Sequence, residues 1–266
     1  MSNDFAVSLA GVDKVFNVGR VDAVTALTGV ELTIGRGEFV SLIGPSGCGK
    51  STLLRLIADL ITPTAGTVTV NGKAARQARL DQEYGIAFQQ AGLFDWRTVR
   101  RNVELPLELR GARRAQRRDR VDEMLALVGL ADFAGHYPAQ LSGGMQQRVA
   151  IARALAVHPP LLLMDEPFGA LDEMTRERLQ DELLGICART ATSTVFVTHS
   201  ISEAVYLSDR VVVMSARPGR ITAVVDVDLG ARTEQTRQSA EFFTAVTEVR
   251  RALRGTGAPA TEPAAT

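Results

Sequence analysis

The chain has 266 residues, of which 45% are hydrophobic and 23% charged, and its formal net charge is zero. This composition predicts an ordinary globular protein with a sizeable core, and the zero charge gives no overall attraction to nucleic acid. No apolar run approaches the roughly 18 residues that cross a bilayer, and two cysteines are too few for a disulfide framework.

The first predicted elements are two strands, VSLAGVDKVF and ALTGVELTI, in which apolar and polar residues alternate on either side of a polar loop. FVSLIG, residues 39–44, is a nearly continuous apolar run and predicts a strand that is buried on both faces. A glycine-rich loop and the predicted helix KSTLLRLIADL follow. The segments AGTVTVNGK and YGIAFQQ predict two more strands, the first with an Asn-Gly turn.

Residues from about 99 to 157 carry helical patterns with little strand signal. Strand patterns resume at LLLMDEP, STVFVTH and RVVVMSARPGRITAVVDV, with the helix EMTRERLQDELLGICAR between the first two. We therefore predict an α/β core that is interrupted by a helical insertion. EFFTAVTEVRRALR predicts a C-terminal helix, and residues 255–266 are expected to be disordered because they lack aromatic residues.

A basic cluster opens the helical insertion. Residues 97–120 contain nine arginines against Glu104, Glu108 and Asp119, a net charge of +6, which leaves −6 for the rest of the chain. One interpretation is a solvated helical face. The other is a face that lies near an anionic surface or an acidic partner, and the composition is compatible with both.

The segment GPSGCGKST follows a predicted strand and opens a predicted helix, which is the context of a phosphate-binding loop. Glycines there let backbone N–H groups and the helix N-terminus face the phosphates of a nucleoside triphosphate. Lys50 would reach the β- and γ-phosphates, and we expect Cys48 to react readily with alkylating agents because it lies at a helix N-terminus. The predicted nucleotide-binding residues of this loop are Gly44, Pro45, Ser46, Gly47, Cys48, Gly49, Lys50, Ser51 and Thr52.

The predicted strand LLLMDE ends in two carboxylates, Asp165 and Glu166. Two acids at a strand end are more often only solvated, but here they accompany a phosphate-binding loop. Asp165 and the Ser51 hydroxyl would hold Mg²⁺, and Glu166 would polarise the attacking water as general base. His199 ends another apolar strand, STVFVTH, where adjacent strands would bring it near the γ-phosphate. A lone histidine is more often structural, and the prediction that His199 is catalytic rests largely on the family resemblance described below.

The segment LSGGMQQRVAIARAL, residues 141–155, supplies a second helix start of the kind that binds anions. Ser142, Gly143 and Gly144 offer N–H donors and a hydroxyl suited to a γ-phosphate. Because the loop around Lys50 is already a complete cradle, we favour a head-to-tail homodimer in which each chain completes its partner's site. Closure within one chain stays open as the alternative.

Together, GPSGCGKST, LSGGMQQR, LLLMDEP, GALD and VFVTHS resemble the ATP-binding subunit of an ABC transporter, over nearly the whole chain to about residue 225. The resemblance implies an α/β P-loop NTPase with a RecA-like core, an N-terminal antiparallel β-subdomain and an inserted helical subdomain. The implied nucleotide-binding domain is residues 1–230 with the helical subdomain at about 97–157, followed by a helical extension at 231–254. ATP and Mg²⁺ are the implied cofactors, and ATP hydrolysis is the implied activity.

The same resemblance assigns roles to further residues. Phe16 would stack on adenine, Gln89 would reach the magnesium ion and take part in catalysis, and Asp172 would communicate across the dimer. The signature segment that acts in trans would consist of Leu141, Ser142, Gly143, Gly144 and Met145, the last replacing the family's glutamine.

The segment AGLFDWRTVRRNVELPLEL resembles the region where the coupling helix of a permease docks. Leu93, Phe94 and Trp96 would form an apolar groove there, and the alternative is a Trp96 that is tucked into its own core. The implied partners are transmembrane permease subunits and a periplasmic or lipid-anchored solute-binding protein, with no nucleic acid. The implied location is peripheral, on the cytoplasmic face of the inner membrane.

MSARPGRI, residues 214–221, and the C-terminal helix resemble the branch of bacterial importers that serves nitrate, sulfonate, taurine, bicarbonate and thiamine-precursor pyrimidines. This predicts that ATP hydrolysis energises the uptake of a small solute. The alternative is a non-transport ABC-type ATPase that acts as a mechanical switch on DNA or ribosomes. Such proteins generally carry two cassettes or long coiled coils, whereas this chain has one cassette and no heptad run.

Overall fold

Two β-sheets and a group of helices form the fold, and the structure, a computed structural model, describes residues 5–255. The strands are β1 (Phe5–Phe16), β2 (Val24–Gly35), β3 (Phe39–Ile43), β4 (Ala65–Val70), β5 (Lys73–Ala74), β6 (Tyr84–Ala87), β7 (Leu161–Asp165), β8 (Ser193–Val197), β9 (Arg210–Met214) and β10 (Ile221–Asp226). The helices are α1 (Lys50–Ile57), α2 (Ala75–Leu80), α3 (Val99–Leu109), α4 (Arg114–Leu127), α5 (Gly143–Leu155), α6 (Glu173–Thr190), α7 (Ile201–Leu207) and α8 (Ala240–Gly255).

The first sheet is antiparallel and has the strand order β2-β1-β4-β5. Its two long strands alternate buried and exposed residues, as the sequence pattern predicts. The buried face, which includes Val7, Leu9 and Ile34, packs in one cluster with Leu53 and Leu54 of α1. This sheet therefore covers the side of the core on which the phosphate-binding loop lies.

The second sheet has the order β10-β9-β3-β8-β7-β6 and is parallel except for β10. Every residue of β3, β7 and β8 is buried, in agreement with their continuous apolar sequences. Because β3, β8, β7 and β6 are parallel neighbours, their carboxyl ends meet at one edge of the sheet. The predicted α/β core with an N-terminal antiparallel subdomain is confirmed.

Helices α3, α4 and α5 lie between β6 and β7 in the chain and form the inserted helical part. Their apolar faces share one buried cluster, to which Val103, Leu125 and Val149 belong. Asn102 is fully buried in α3, and its side chain bonds to both backbone groups of Phe94 and to the carbonyl oxygens of residues 97 and 98. These bonds fix the segment that precedes α3.

Five of the nine arginines in the basic cluster at residues 97–120 pair with acids. Arg97 and Arg117 pair with Glu108 and Glu104, and the other three pair with two acids of α4 that lie just after the cluster. Such pairs are the expected pattern of a solvated helical face. The structure thus favours the first of the two interpretations of this cluster.

Two short helices escape the sequence pattern. Helices α2 and α7 span six and seven residues, which is too short for a helical period to stand out. The C-terminal helix is present as α8, whose Phe242, Val246 and Val249 are buried. Disorder is predicted for residues 255–266. Gly255 is the last residue of α8, and the rest of this range lies outside the described residues.

Gly85 in β6 lets the helix that follows the signature segment approach the sheet closely. A Cβ on this residue would lie 2.2 Å from the carbonyl oxygen of Ala154 and 3.0 Å from Pro159 Cγ. Because backbone atoms cannot move aside cheaply, we expect Gly85→Ala to lower the free energy of unfolding by about 2 to 3 kcal/mol. Urea denaturation measures this change.

Gly135→Ala is the matched control, since a Cβ there would meet no atom within 4 Å. It should leave the urea midpoint close to that of the parent protein. Equal midpoints for the two variants would contradict the close approach of α5 to β6.

Candidate functional site

The phosphate-binding loop connects β3 to α1, at the carboxyl edge of the parallel sheet. Gly47 and Gly49 have φ values of 74° and 104°, in the region that favours glycine. A Cβ on Gly49 would also lie 2.7 Å from Leu27 Cδ2, so this residue must be glycine on both counts. The loop therefore curls tightly before α1 begins, which is the backbone shape that lets N–H groups face a phosphate.

Lys50 places its positive charge within this loop. Its Nζ donates to the carbonyl oxygens of Gly44 and Pro45, at 2.9 and 3.1 Å. Only 7% of the residue is exposed, so the stem is packed while the ammonium stays inside the curl of the loop. An ammonium together with the N–H groups of such a loop makes a site for a phosphate chain.

A cavity of about 580 Å³ opens in front of the loop. Phe16, 38% exposed, stands at one part of its wall with Val24 and Ala26 of β2, which suits an aromatic base. The polar part of the wall consists of the phosphate-binding loop and of one residue from each of four other segments, namely Gln89, Glu166, His199 and Arg217. The lining residues are Phe16, Val24, Ala26, Ser46, Gly47, Gly49, Lys50, Ser51, Thr52, Gln89, Glu166, His199 and Arg217.

Three predicted loop residues, Gly44, Pro45 and Cys48, are not among the residues that line this cavity. Gly44 and Pro45 support Lys50 from behind through their carbonyl groups. Cys48 is fully buried, with its Sγ 3.7 Å from Lys50 Nζ. The expectation of a readily alkylated thiol is therefore wrong, because the side chain faces the core although the backbone belongs to the loop.

Asp165 and Glu166 end β7 beside the loop, as the sequence predicts, but they face different partners. Asp165 Oδ1 accepts a hydrogen bond from Ser51 Oγ at 2.9 Å. Burial raises the pKa of the Asp165 carboxyl, and the Ser51 hydroxyl opposes that shift. Glu166 has a φ of 48°, an unusual conformation for a non-glycine residue, which points its side chain into the cavity.

Glu166 is the meeting point of the three predicted catalytic side chains. Its Oε2 accepts from Gln89 Nε2 at 3.2 Å and lies 3.3 Å from His199 Nδ1. The carboxylate is mostly sheltered, while the imidazole is 69% exposed and faces the open side of the cavity. A carboxylate, which can act as a base toward water, thus lies next to two polar side chains that can orient it.

The oxygen atoms beside the loop fit a hard divalent cation. A hydroxyl from Ser51, a carboxylate from Asp165 and the amide oxygen of Gln89 are the ligand types that Mg²⁺ prefers. The first two are already within hydrogen-bond distance of each other. The donor set contains no thiolate, so it matches Mg²⁺ better than a soft metal.

Side chains of α5 hold the segment that carries Gln89. Gln147 is buried and donates to the carbonyl oxygen of Phe88 at 2.9 Å. Arg153 donates to the carbonyl oxygens of Ala91 and Gly92, both at 2.8 Å. The residues on either side of Gln89 are therefore fixed to the helix that begins at the signature segment. Sequence reasoning missed these contacts, because Gln147 lies 59 residues from Phe88.

A second network surrounds the residue before His199. Thr198 Oγ1 donates to Glu203 Oε2 at 2.6 Å, and Arg176 Nε lies 3.7 Å from the other oxygen of that carboxylate. Arg176 also donates to the carbonyl oxygen of Leu171 at 2.8 Å. Glu203 thus joins the segment of His199 to the segment that precedes Asp172.

The signature segment is not part of the cavity wall described above. Ser142 instead caps α5, with its Oγ accepting from the N–H of Met145 at 3.3 Å, and Leu141 is buried. Gly143 has open space around it, whereas a Cβ on Gly144 would lie 3.0 Å from the carbonyl oxygen of Ala170. Residues 141–145 are therefore engaged within their own helix and core and are not among the residues that line the cavity.

Asp172 caps α6 in a similar way. Its Oδ1 accepts from the N–H of Thr175 at 3.0 Å, a bond that holds the pKa of this exposed carboxyl below its usual range. The residue stands next to Leu171, which Arg176 fixes. Its exposed position leaves it accessible to another protein surface.

The predicted docking residues lie shortly after Gln89. The rings of Phe94 and Trp96 are 4.9 Å apart, and Trp96 is 74% exposed. Leu93 is half-buried and packs against the helical core. The alternative of a Trp96 within its own core is therefore wrong. An exposed aromatic pair on a segment that Asn102 holds rigidly has the character of an interface.

Comparison with known proteins gives consistent results. The family model described as ABC transporter matches residues 27–169. A nitrate import ATP-binding protein of Synechocystis is 45% identical over 263 residues, which is 96% of this chain and 98% of the relative. A taurine import ATP-binding protein of Rhizobium johnstonii is 46% identical over 239 residues, 88% of this chain and 90% of the relative.

Among solved structures, the ATP-binding cassette MJ0796 is similar, with a TM-score of 0.77 and 39% identity. The similarity covers 84% of this chain and 99% of that one. That structure is a dimer in a post-hydrolysis state, bound to ADP and Pi.

The position of Glu166 generates a prediction for hydrolysis. If the Glu166 carboxylate accepts the proton of the attacking water, as the sequence predicts, Glu166→Gln should lower kcat for ATP by about a hundredfold or more. ATP affinity should change little, because the loop around Lys50 is untouched. Phosphate release and equilibrium binding of a fluorescent ATP analogue measure the two quantities.

Glu182→Gln on the exposed face of α6 is the matched control, since it removes one carboxylate charge far from the cavity. It should leave kcat unchanged. Retention of most activity by Glu166→Gln would rule out its role as general base.

Proposed function

The chain belongs to the ABC transporter family as an ATP-binding subunit with ATPase activity, and we propose that it energises the import of a small solute through a membrane permease. The observation that carries the proposal is the exposed Phe94–Trp96 pair, which lies seven residues or fewer from Gln89 in the cavity. A permease seated on this pair would lie next to the segment that senses the nucleotide. The importer names of the nitrate and taurine relatives support uptake as the direction.

In the proposed reaction, the triphosphate lies in the loop around Lys50 and the adenine stacks on Phe16. Mg²⁺ would be held by Ser51, Asp165 and Gln89, and it would neutralise charge on the β- and γ-phosphates when bound. Glu166 accepts a proton from the attacking water, while His199 and Gln89 orient that carboxylate and the γ-phosphate. The short distances from Ser51 to Asp165, and from Glu166 to Gln89 and His199, support the roles proposed for these five side chains.

The γ-phosphate side of the cavity would be completed by a second copy of the chain. Residues 141–145 do not line the cavity of their own chain, so within one chain they leave the nucleotide uncontacted. We therefore infer a head-to-tail homodimer in which Ser142, Gly143 and Gly144 of one chain reach the nucleotide of the other, with Asp172 at the contact between them. The dimeric state of the MJ0796 cassette supports this arrangement.

The subunit would act as a peripheral protein on the cytoplasmic face of the inner membrane. None of the helices within residues 5–255 combines the length and the apolar character of a transmembrane span. Passage of the solute would therefore depend on permease subunits, and delivery on a periplasmic or lipid-anchored solute-binding protein. By similarity to the nitrate, bicarbonate and taurine relatives, the solute would be a small polar molecule of the kind that these importers serve.

Mixing two inactive variants tests the homodimer. Lys50→Ala removes the cation of the loop, and Ser142→Arg blocks the signature segment, so each variant alone should lose about a hundredfold or more of its ATPase rate. In a mixed dimer that closes head to tail, one site combines an intact loop with an intact signature. The mixture should therefore hydrolyse ATP many times faster than either variant alone.

The control for this mixture is Lys50→Ala combined with the double variant Lys50→Ala, Ser142→Arg, which contains no intact loop and should stay inactive. If the two single variants also stay inactive together, closure between chains is excluded as the source of activity.

Truncation of the exposed tryptophan tests the docking surface. Trp96→Ala should prevent co-purification of the permease from gently solubilised membranes of the native cell, because an aromatic anchor is lost at the centre of the contact. ATP binding and hydrolysis by the isolated chain should be unchanged. Leu109→Ala, at a residue 67% exposed at the end of α3, is the matched control and should retain the permease.

A wild-type chain that captures ribosomes or DNA-bound proteins and no permease would overturn the import proposal in favour of the mechanical switch. Equal permease recovery with Trp96→Ala would remove the aromatic pair from the docking surface.

A further inference from the structure

The turn between β9 and β10 lies against the phosphate-binding loop. It spans Ser215–Arg220 and is closed by three hydrogen bonds of Ser215. The N–H of Ser215 donates to the carbonyl oxygen of Arg220. The Ser215 Oγ donates to the carbonyl oxygen of Pro218 and accepts from the N–H of Arg220. The turn is therefore a defined structure, with a fixed relation to the strands that carry it.

Gly219 fastens this turn to two neighbours. Its N–H donates to the carbonyl oxygen of Ala26 at 2.9 Å, and its own carbonyl accepts from the N–H of Thr28 at 3.1 Å. A Cβ on Gly219 would lie 2.0 Å from the carbonyl oxygen of Cys48, so the turn and the phosphate-binding loop are in direct backbone contact. No larger residue would allow this approach.

Arg217 projects from the fastened turn to the rim of the nucleotide cavity. Its Nη2 donates to the carbonyl oxygen of Gly47 at 3.2 Å, and the residue lines the cavity. Within residues 5–255, no carboxylate lies within ion-pair distance of its guanidinium. Lys50 and Arg217 are the one lysine and the one arginine among the lining residues, and Glu166 is the one carboxylate among them.

We propose that Arg217 is a second phosphate-binding cation, which contacts the phosphate chain of ATP from the rim of the cavity beside Gly47. Its guanidinium has five donors, and the bond to Gly47 occupies one of them. The remaining donors can pair with phosphate oxygens in the forked geometry that guanidinium favours. The bond to Gly47 also holds the side chain in place before the nucleotide arrives, which lowers the entropy cost of the contact.

This inference deepens the ATP site and is independent of the import proposal, because its test uses the isolated full chain. Arg217→Gln should weaken Mg-ATP binding by about tenfold, the effect expected for one hydrogen-bonded charge pair at a partly exposed site. ADP should show a similar loss, whereas adenosine should bind equally to both proteins. Equilibrium titration with each ligand measures the affinities.

Arg220→Gln is the matched control. Arg220 is an exposed arginine of the same turn and is not among the residues that line the cavity. The Arg220→Gln substitution removes the same charge from the same turn. It should leave all affinities within about twofold of the parent, since surface charges more than a few ångströms from the bound ligand act weakly in salt. Arg217→Lys should recover part of the affinity for ATP, because the charge remains and the fork is lost.

Steady-state hydrolysis gives a second readout. A binding contact made equally in the ground state and the transition state changes KM and leaves kcat nearly constant, so Arg217→Gln should raise KM for ATP. Unchanged affinity for ATP in Arg217→Gln would overturn the proposal. So would an equal loss for ATP and adenosine, which would place the guanidinium at the base instead of the phosphates.

Discussion

The parallel alignment of β3, β8, β7 and β6 is the constraint on which the site depends. Parallel neighbours end at the same edge, so the phosphate-binding loop after β3, His199 after β8, Glu166 after β7 and Gln89 after β6 arrive side by side although long stretches of sequence separate them. Ligands of open α/β sheets generally bind at such an edge. The short distances from Glu166 to Gln89 and His199 follow directly from this order.

The two networks behind the site divide its support between different parts of the molecule. Gln147 and Arg153 fix the residues around Gln89 from the helical insertion, while Glu203 fixes the segment of His199 from α7. The side chains of the first network belong to α5, the helix that begins in the signature segment. The second network reaches Leu171, the residue before Asp172, through Arg176. Both groups that flank Glu166 are therefore placed by elements linked to the signature segment or to Asp172, the residues proposed to meet a second chain.

Sequence alone predicted the parts of the molecule that local patterns encode. The buried strands were recognisable because each is a short apolar run, and the loop around Lys50 because its glycines have a fixed spacing. Contacts between distant residues left no such signal: Arg217 lies 170 residues from Gly47, and Gln147 lies 59 from Phe88. Cys48 was misjudged for a related reason, since spacing places the backbone of the loop but does not say which side chains face the core.

The hydrogen bonds from α5 to residues 88–92 have a thermodynamic consequence. Asn102 fixes the segment proposed for docking at Phe94, and Arg153 fixes the backbone at Gly92, so the backbone on both sides of Leu93 is tied to the helical insertion. Thermodynamic linkage then requires reciprocity. If nucleotide binding favours one orientation of α5 and thereby changes the affinity of the aromatic pair for a partner protein, binding of that partner changes the nucleotide affinity by the same factor. A permease that binds only one orientation would therefore alter ATP affinity without touching the cavity.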